Sequence, residues 1–223
     1  MKYNKILKGC FISRPNRFIA RVNINGQEET VHVKNTGRCK ELLIPGVTVI
    51  LEVPENPTRK TKYDLIAVYK EGIGLVNIDS QAPNKVAYEW LITQGFDYIK
   101  PEYTIGSSRI DFYMEKDDKK FLMEVKGCTL EIDGVGYFPD APTLRGVKHL
   151  KELAALQKEG YNCFITFVIQ INGISRVLPN TQTHPEFSKA LEEAKKAGVK
   201  VIFLECVVTE DTLRFKAQKD LLV

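Results

Sequence analysis

The chain has 223 residues, and its 32 Lys and Arg against 28 Asp and Glu give a net charge of +4, which is too small to indicate a nucleic-acid partner by itself. Its length suits one large or two small hydrophobic cores, and we expect two domains. The first residues lack the apolar core of a signal peptide and no apolar run approaches membrane-spanning length, so we expect a soluble, cytoplasmic protein without a membrane partner.

The excess of positive charge lies in the N-terminal third of the chain. Residues 1–80 carry 13 Lys and Arg against 8 Asp and Glu, whereas residues 81–223 carry 19 against 20. The five cysteines are scattered and form no Cys-x-x-Cys pair, which argues against zinc ribbons and disulfide frameworks. Reduced thiols fit this pattern best.

Residues 1–80 show the element order of a small β-barrel. Runs typical of strands occur at residues 5–12, 18–24 and 30–34, and again at 47–53, 63–70 and 73–78. Between these two groups, residues 37–44 are typical of a short helix that ends at Pro45-Gly46. Five or six strands with one small helix midway indicate an OB-like barrel, although an SH3-like barrel stays open.

Basic residues in this predicted barrel are interleaved with aromatic ones. Arg14 and Arg17 precede Phe18, and Arg38 follows the third predicted strand. Basic side chains contact phosphates and aromatic rings stack on bases, which lets a small barrel bind a nucleic-acid strand without reading its sequence. We therefore predict Arg14, Arg17 and Arg38 as nucleic-acid contacts. The alternative is a solvated polar face with its aromatic residues in the core.

The pattern of residues 109–126 predicts a β-hairpin, and this hairpin carries the principal candidate site. Apolar residues at strand-like spacing flank a polar turn, and folding about that turn places Asp111 opposite Glu124. Lys126 lies two residues after Glu124 and therefore projects from the same face. Two carboxylates and one ammonium group on an otherwise apolar sheet can hold Mg²⁺ and an anionic substrate oxygen, as phosphodiester chemistry requires. The alternative is a structural ion pair at a sheet edge.

Glu89 is a third candidate acid. Residues 77–84 are turn-rich and form the predicted domain boundary, and a helix is predicted over residues 83–93. Glu89 shares a face of that helix with apolar neighbours three residues away on either side, so its carboxylate needs a partner. It could complete the metal shell of the hairpin site. An outward-facing glutamate on a frayed helix is the alternative.

The remainder of the chain predicts a mixed sheet with helices on its faces. The irregular segment 127–142 is expected to form a lid or a substrate contact. A helix from Thr143 to about residue 159 carries Arg145 and Lys148 in its first turns, where they could contact phosphate or simply be solvated. Further elements are expected at residues 163–170 (a central strand), 185–197 (a helix), and 199–207 and 213–216 (strands). The three histidines are scattered, so they support neither a histidine metal site nor a Ser-His-Asp triad.

A helix with Glu, a strand with Asp, a strand with Glu-x-Lys and a following helix resemble the restriction-endonuclease-like, PD-(D/E)xK nuclease architecture. Ile110 stands in place of the leading proline of that motif. The resemblance implies that Asp111, Glu124 and Glu89 hold a metal ion and that Lys126 acts beside it.

Four longer motifs resemble the sugar fermentation stimulation protein A family. They are Thr-Gly-Arg-Cys-Lys-Glu-Leu-Leu-Ile-Pro-Gly at 36–46, Ser-Arg-Ile-Asp-Phe at 108–112, Glu-Val-Lys-Gly-Cys-Thr-Leu at 124–130 and Phe-Pro-Asp-Ala-Pro-Thr-Leu-Arg-Gly-Val-Lys-His-Leu at 138–150. The resemblance implies an α/β (α+β) protein with an OB-like barrel at 1–80 and a nuclease-like domain at 81–223. It also implies DNA binding without marked sequence preference and a regulatory role in sugar metabolism.

Three functions stay open at this point. The first is a nuclease that depends on Mg²⁺ or Mn²⁺ and cleaves DNA or RNA. The second is a DNA-binding protein whose nuclease-like site only grips phosphate. The third is a non-catalytic regulator that binds a metabolite in the same acidic cleft. The sequence favours DNA binding over the other two and indicates no oligomeric state.

Overall fold

The computed structural model describes residues 1–35, 37–56, 58–106, 108–174 and 176–219, and its first six strands form one sheet. They are β1 (Ile6–Asn16), β2 (Ile19–Ile24), β3 (Gln27–Val33), β4 (Thr48–Glu52), β5 (Asp64–Lys70) and β6 (Gly74–Asn77). The strand order is β3-β2-β1-β4-β5-β6, and β3 also pairs with β5 in parallel. The β3–β5 pairing closes the five strands β1, β2, β3, β4 and β5 into a ring. The predicted OB-like barrel is therefore confirmed.

The short helix predicted at residues 37–44 is wrong, because this segment forms a single turn. The backbone amides of Leu42 and Leu43 both donate to the Cys39 carbonyl, at 3.2 and 2.9 Å. Cys39 itself has a φ of 46°, in the left-handed region where an α-helix cannot continue. The apolar residues of this segment are buried as their pattern indicates, since Leu42 and Leu43 pack against the barrel core without forming a helix.

The second half of the chain forms a six-stranded mixed sheet with helices on both faces. In chain order its elements are α1 (Ala82–Leu91), β7 (Tyr98–Ile105), β8 (Ser108–Lys116), β9 (Lys119–Cys128), β10 (Leu130–Ile132), β11 (Val135–Phe138), α2 (Leu144–Lys158), β12 (Asn162–Ile169), β13 (Arg176–Pro179), α3 (Pro185–Lys196), β14 (Lys200–Val208) and β15 (Leu213–Lys219). The sheet order is β15-β14-β12-β9-β8-β7, with β12 parallel to both of its neighbours. The predicted central strand and the mixed α/β fold class are therefore confirmed.

Two hydrophobic clusters cover the two faces of this sheet. Leu153 of α2 and Phe187 of α3 pack in the same cluster as Ile165 of β12. Trp90 of α1 packs on the other face, in the cluster that contains Val168 of β12. Alternate residues of β12 thus serve opposite faces, as the continuously apolar sequence predicted. Within the described part of the chain, none of the helices combines the length and the apolar character needed to span a bilayer.

The segment predicted as an irregular lid, residues 127–142, contains two strands instead. β10 and β11 form a hairpin whose turn residues Asp133 and Gly134 both have positive φ, 51° and 76°, and β13 pairs with β11 to complete a three-stranded sheet. Lys70 of the barrel anchors this hairpin through a 2.5 Å contact with the Glu131 carboxylate. The expectation of an irregular loop is therefore wrong.

The turn-rich segment predicted as the domain boundary is buried at Asn77, Ile78 and Asp79 and exposed at Ser80 and Gln81. Asp79 is 0% exposed, and its carboxylate accepts a hydrogen bond from the Tyr3 hydroxyl at 3.1 Å. The side-chain amide of Gln170, at the end of β12, donates to Asn77 at 2.8 Å and to the Asp79 carbonyl at 3.1 Å. These four residues, which we call the joint, connect the barrel to the mixed sheet through a closed set of hydrogen bonds.

Candidate acidic site and nucleic-acid surface

The β8–β9 hairpin brings Asp111 and Glu124 together. Its paired residues run from Lys116 opposite Lys119 to Phe112 opposite Met123, so the next step along the ladder places Asp111 opposite Glu124. The two turn residues between the strands have φ values of 49° and 60°, which is the geometry of a tight hairpin. The predicted register is confirmed.

Asp111 is held at both of its carboxylate oxygens. Oδ2 accepts a hydrogen bond from the backbone amide of Val125 at 2.8 Å, and Oδ1 accepts one from the Asn84 side chain of α1 at 2.9 Å. Burial raises the pKa of Asp111, and the negative charge of Glu124 raises it further, against the opposing effect of these hydrogen bonds. A cation placed between the two carboxylates would relieve this repulsion.

Glu124 is 2% exposed, and its two oxygens have unequal surroundings. Oε1 accepts from the Lys126 ammonium at 2.5 Å and from Nδ1 of His149. Burial acts to raise the pKa of Glu124, but the hydrogen bonds from His149 and Lys126 and the positive charge of Lys126 outweigh it and leave the pKa lowered. Oε2 is buried and has no hydrogen-bond partner among the described residues.

His149 lies at this site, which the sequence did not indicate because the three histidines are far apart in the chain. It lies on the buried stripe of α2 with Gly146, Leu150 and Leu153, and its Nε2 accepts a hydrogen bond from Nε of Arg145 at 3.3 Å. The scatter of the histidines argued only against a histidine metal site and a Ser-His-Asp triad, and it gave no indication that His149 hydrogen-bonds Glu124. The signal was the helical spacing itself, because a histidine on an apolar stripe faces the sheet that carries Glu124.

Glu89 lies away from the acidic pair. Its carboxylate contacts the terminal ammonium of Met1 at 2.6 Å. Asn84, five residues earlier on α1, contacts Asp111 instead. Five residues correspond to roughly 140° around an α-helix, so these two side chains point in different directions. The structure does not bring the third predicted acid to the site, and no sequence signal singled out Asn84.

The donor set fits a hard divalent cation. Among the residues that the structure describes, no three His, Cys, Asp or Glu side chains are arranged to hold a metal ion. The acidic pair nevertheless offers Glu124 Oε2, a buried oxygen without a donor, across from an Asp111 carboxylate fixed in orientation. Mg²⁺ is commonly held by one or two carboxylates together with waters and substrate phosphates.

Arg14 is used within the protein. Its two Nη atoms donate to the carbonyls of Gly37 and Arg38 at 2.8 and 2.7 Å and to those of Arg17 and Asn35 at 2.7 and 2.6 Å. All four Nη hydrogens are thereby committed to backbone acceptors. Arg14 holds the backbone at Asn35, Gly37 and Arg38 and cannot offer its guanidinium fork to a phosphate in this conformation.

Arg17 and Arg38 are exposed and lie at a small cavity of about 240 Å³ together with Lys40. The Arg17 guanidinium stands over the Phe18 ring, 5.4 Å from its centroid, and Phe18 is 48% exposed. This cluster presents positive charge next to an aromatic face.

A second, larger polar groove of about 650 Å³ is lined by Phe18 of the β1–β2 turn. Phe18, the end of β3 and the β4–β5 loop line it, together with Lys85 of α1. Its deeper charges are paired within the protein, since Lys34 contacts Glu52 and Asp79 at 3.2 and 3.1 Å. The groove lies between the two loops that OB-folds use for oligonucleotides.

Arg145 and Lys148 lie at the start of α2, as predicted. Thr143 caps this helix by accepting a hydrogen bond from the Gly146 amide at 3.0 Å. Arg145 is exposed and contacts His149, whereas the Lys148 side chain is 63% exposed and lies 3.5 Å from Glu152. Both cationic side chains are therefore exposed at the start of this helix.

Comparison with known proteins identifies the relatives of this chain. Residues 12–78 match the family model described as SfsA N-terminal OB domain, and residues 81–212 match the one described as Sugar fermentation stimulation protein RE domain. A sugar fermentation stimulation protein homolog of Desulfitobacterium hafniense (strain Y51) is 55% identical over 216 residues, which cover 96% of this chain and 94% of the relative. A homolog of the same name from Clostridium beijerinckii is 51% identical over the full length of both chains.

A solved structure shares the whole architecture. It is described as the structure of Pyrococcus furiosus SfsA in complex with Ca²⁺, and it matches with a TM-score of 0.87 at 27% identity, covering 98% of this chain and 96% of that one. Both halves of the chain and their arrangement are thus common to this structure and the present one. The chain belongs to the sugar fermentation stimulation protein family.

Proposed function

We propose that this protein binds DNA without marked sequence preference and hydrolyses phosphodiester bonds at the acidic pair with Mg²⁺ or Mn²⁺. The observation that carries the proposal is the unpartnered Glu124 Oε2, buried opposite Asp111 and beside Lys126. Burying a carboxylate oxygen without a partner is unfavourable, so a cation is the natural complement of this pocket. The Ca²⁺ in the description of the Pyrococcus furiosus relative supports a divalent cation here.

A divalent cation bound at this site would polarise a phosphoryl oxygen and lower the pKa of bound water. Asp111 and Glu124 would hold it, and Asn84 and the Val125 amide keep the Asp111 carboxylate in place. Lys126 has its ammonium group 2.5 Å from Glu124 Oε1. When a phosphate lies in the pocket, that ammonium is placed to stabilise the negative charge that develops on its oxygens.

The DNA-binding part of the proposal is supported by the barrel surface. Arg17 and Arg38 supply exposed positive charge, and Phe18 supplies an exposed aromatic face at the rim of the polar groove. Phosphate contacts and base stacking together bind a strand without reading its sequence. Lys85 lines the same groove and adjoins Asn84, which contacts Asp111, so helix α1 connects the groove with the acidic pair.

The test of hydrolysis is a cleavage assay on labelled single-stranded DNA, duplex DNA and RNA with Mg²⁺ or Mn²⁺. We expect cleavage by the wild-type chain, loss of at least about a hundredfold in Asp111→Ala and Lys126→Ala, and no change in the control Lys120→Ala on the same strand. Intact substrates after incubation with wild-type protein and either cation would refute hydrolysis.

The test of DNA binding is a salt titration in EDTA. Affinity should fall steeply with salt concentration, and Arg17→Ala should reduce the slope of log K against log salt by about 0.9 on duplex DNA. The Asp111→Ala variant should bind as the wild type does. Binding that is absent or independent of salt would refute this part.

DNA binding without hydrolysis is the second candidate. It is favoured by the meeting of two, rather than three, acidic side chains among the described residues. Salt-dependent binding together with uncut substrates is the outcome that would select it.

A further inference from the structure

Two donors converge on a single oxygen of Glu124. Lys126 and His149 both donate to Oε1, whereas Oε2 receives no donor within the described residues. The present arrangement therefore holds Oε1 with two donors and leaves Oε2 as the oxygen available to a cation.

The two donors differ in stiffness. Lys126 reaches Glu124 through a flexible four-carbon stem, so it can follow the carboxylate when it turns. His149 is 8% exposed and sits on α2, whose N-terminus is fixed by the Thr143 cap. A buried ring on a capped helix defines the direction of its hydrogen bond.

Arg145 determines which ring nitrogen of His149 carries the proton. Its Nε–H donates to His149 Nε2 at 3.3 Å, so Nε2 is the acceptor and Nδ1 carries the hydrogen. Nδ1–H then donates to Glu124 Oε1. The chain Arg145–His149–Glu124 is thus a directed series of hydrogen bonds that ends at a proposed cation ligand.

We propose that His149 is a positioning residue that locks Glu124 with Oε2 turned toward a divalent cation, and that Arg145 supports it by selecting the Nδ1–H tautomer. This inference rests on the cation site of the proposed function. It assigns His149 no contact with the cation or the substrate. Hydrogen bonds of this kind commonly change metal affinity by about 10- to 100-fold.

The test is Mn²⁺ binding by the full chain, followed by calorimetry and by the EPR signal of free Mn²⁺, without nucleic acid. His149→Ala should weaken binding about 10- to 100-fold. His149→Asn should restore it to within about threefold, because the Asn amide places a donor near the position of Nδ1, whereas His149→Gln, with its donor one carbon further out, should not. Lys151→Ala, an exposed charge on the same helix, is the control and should bind as the wild type does.

The second readout is the tautomer of His149 in the metal-free protein, seen by ¹⁵N–¹H correlation of the ring. The wild type should show a protonated Nδ1, and Arg145→Ala should raise the fraction with a protonated Nε2. A protonated Nε2 in the wild type would overturn the inference, as would unchanged Mn²⁺ affinity in His149→Ala or equal rescue by Asn and Gln.

The same experiments separate this inference from the proposed function. Mn²⁺ binding that depends on His149 in a protein that cuts no nucleic acid would leave the inference standing and remove hydrolysis. Cleavage together with an Mn²⁺ affinity that is unchanged in His149→Ala would support hydrolysis and overturn the inference. A wild-type chain that binds no Mn²⁺ would overturn both.

Discussion

Replacing Arg14 by alanine removes four hydrogen bonds that one guanidinium group donates to backbone carbonyls. The bonds to Asn35 and Gly37 are partly buried, and each contributes about 1.5 kcal/mol, the lower end of the range for bonds to a charged group. The carbonyls of Arg17 and Arg38 are exposed at these bonds and regain water, so they add little. We expect Arg14→Ala to lower the free energy of unfolding by about 3 kcal/mol, which for a chain of this size is a fall in Tm of roughly 6–12 °C.

Urea denaturation followed by circular dichroism, together with a thermal melt, measures this change. Arg17→Ala is the matched control, since this exposed neighbour should alter stability by less than about 0.5 kcal/mol while weakening DNA binding. An Arg14→Ala protein with wild-type stability and a salt slope reduced by about 0.9 would show that Arg14 contacts a phosphate and that the structural assignment is mistaken.

Three further substitutions test other parts of the structure. Asp111→Asn should raise Tm near pH 7 without divalent cations, because burial and the charge of Glu124 raise the folded-state pKa of Asp111 and its ionised form is therefore destabilising. The gain should shrink as pH falls through that raised pKa toward the usual value of 3.8, because the folded wild type then takes up the proton first; a gain that grew on acidification would contradict this sign. Gly127→Ala should lower stability by about 1–3 kcal/mol in urea, since an added Cβ would lie 2.2 Å from Oε1 of the hydrogen-bonded Gln170, and an unchanged midpoint would show that the amide can move. Thr166→Val should raise stability by about 1 kcal/mol in the same assay, because the Thr166 hydroxyl is buried without a hydrogen-bond partner in the described chain, whereas a loss would mean that the hydroxyl has one.

Local patterns were sufficient to predict the hairpin and the central strand of the mixed sheet. A polar turn between two runs of alternating apolar residues determines the register, and the register alone places Asp111 opposite Glu124. The continuously apolar run at Asn162–Ile169 likewise predicted a strand covered on both faces. In the barrel, alternating strands and turns predicted the OB order, although the parallel β3–β5 contact that closes the ring joins residues far apart in sequence.

Contacts between segments that are distant in the sequence explain why some of the predictions were wrong. The helix expected at 37–44 does not form, and three hydrogen bonds from Arg14 hold the carbonyls of Asn35, Gly37 and Arg38 in a non-helical conformation. Glu89 lies on α1, the helix that contacts Asp111, but its side chain points to Met1 instead. The spacing of apolar residues predicts which residues share a face of a helix, but it does not predict which part of the protein that face contacts. β11 completes its sheet with β13, about 40 residues later, and no local signal reports such a pairing.

The joint formed by Tyr3, Asn77, Asp79 and Gln170 sets how the two halves can cooperate. Its side chains are almost fully excluded from water and bonded to one another, so hinge-like swinging between barrel and mixed sheet would break several interior contacts at once. In the proposed complex, a nucleic-acid strand bound near Phe18 would therefore reach Asp111 and Glu124 at a fixed distance. Any curvature needed to span that interval has to come from the polynucleotide.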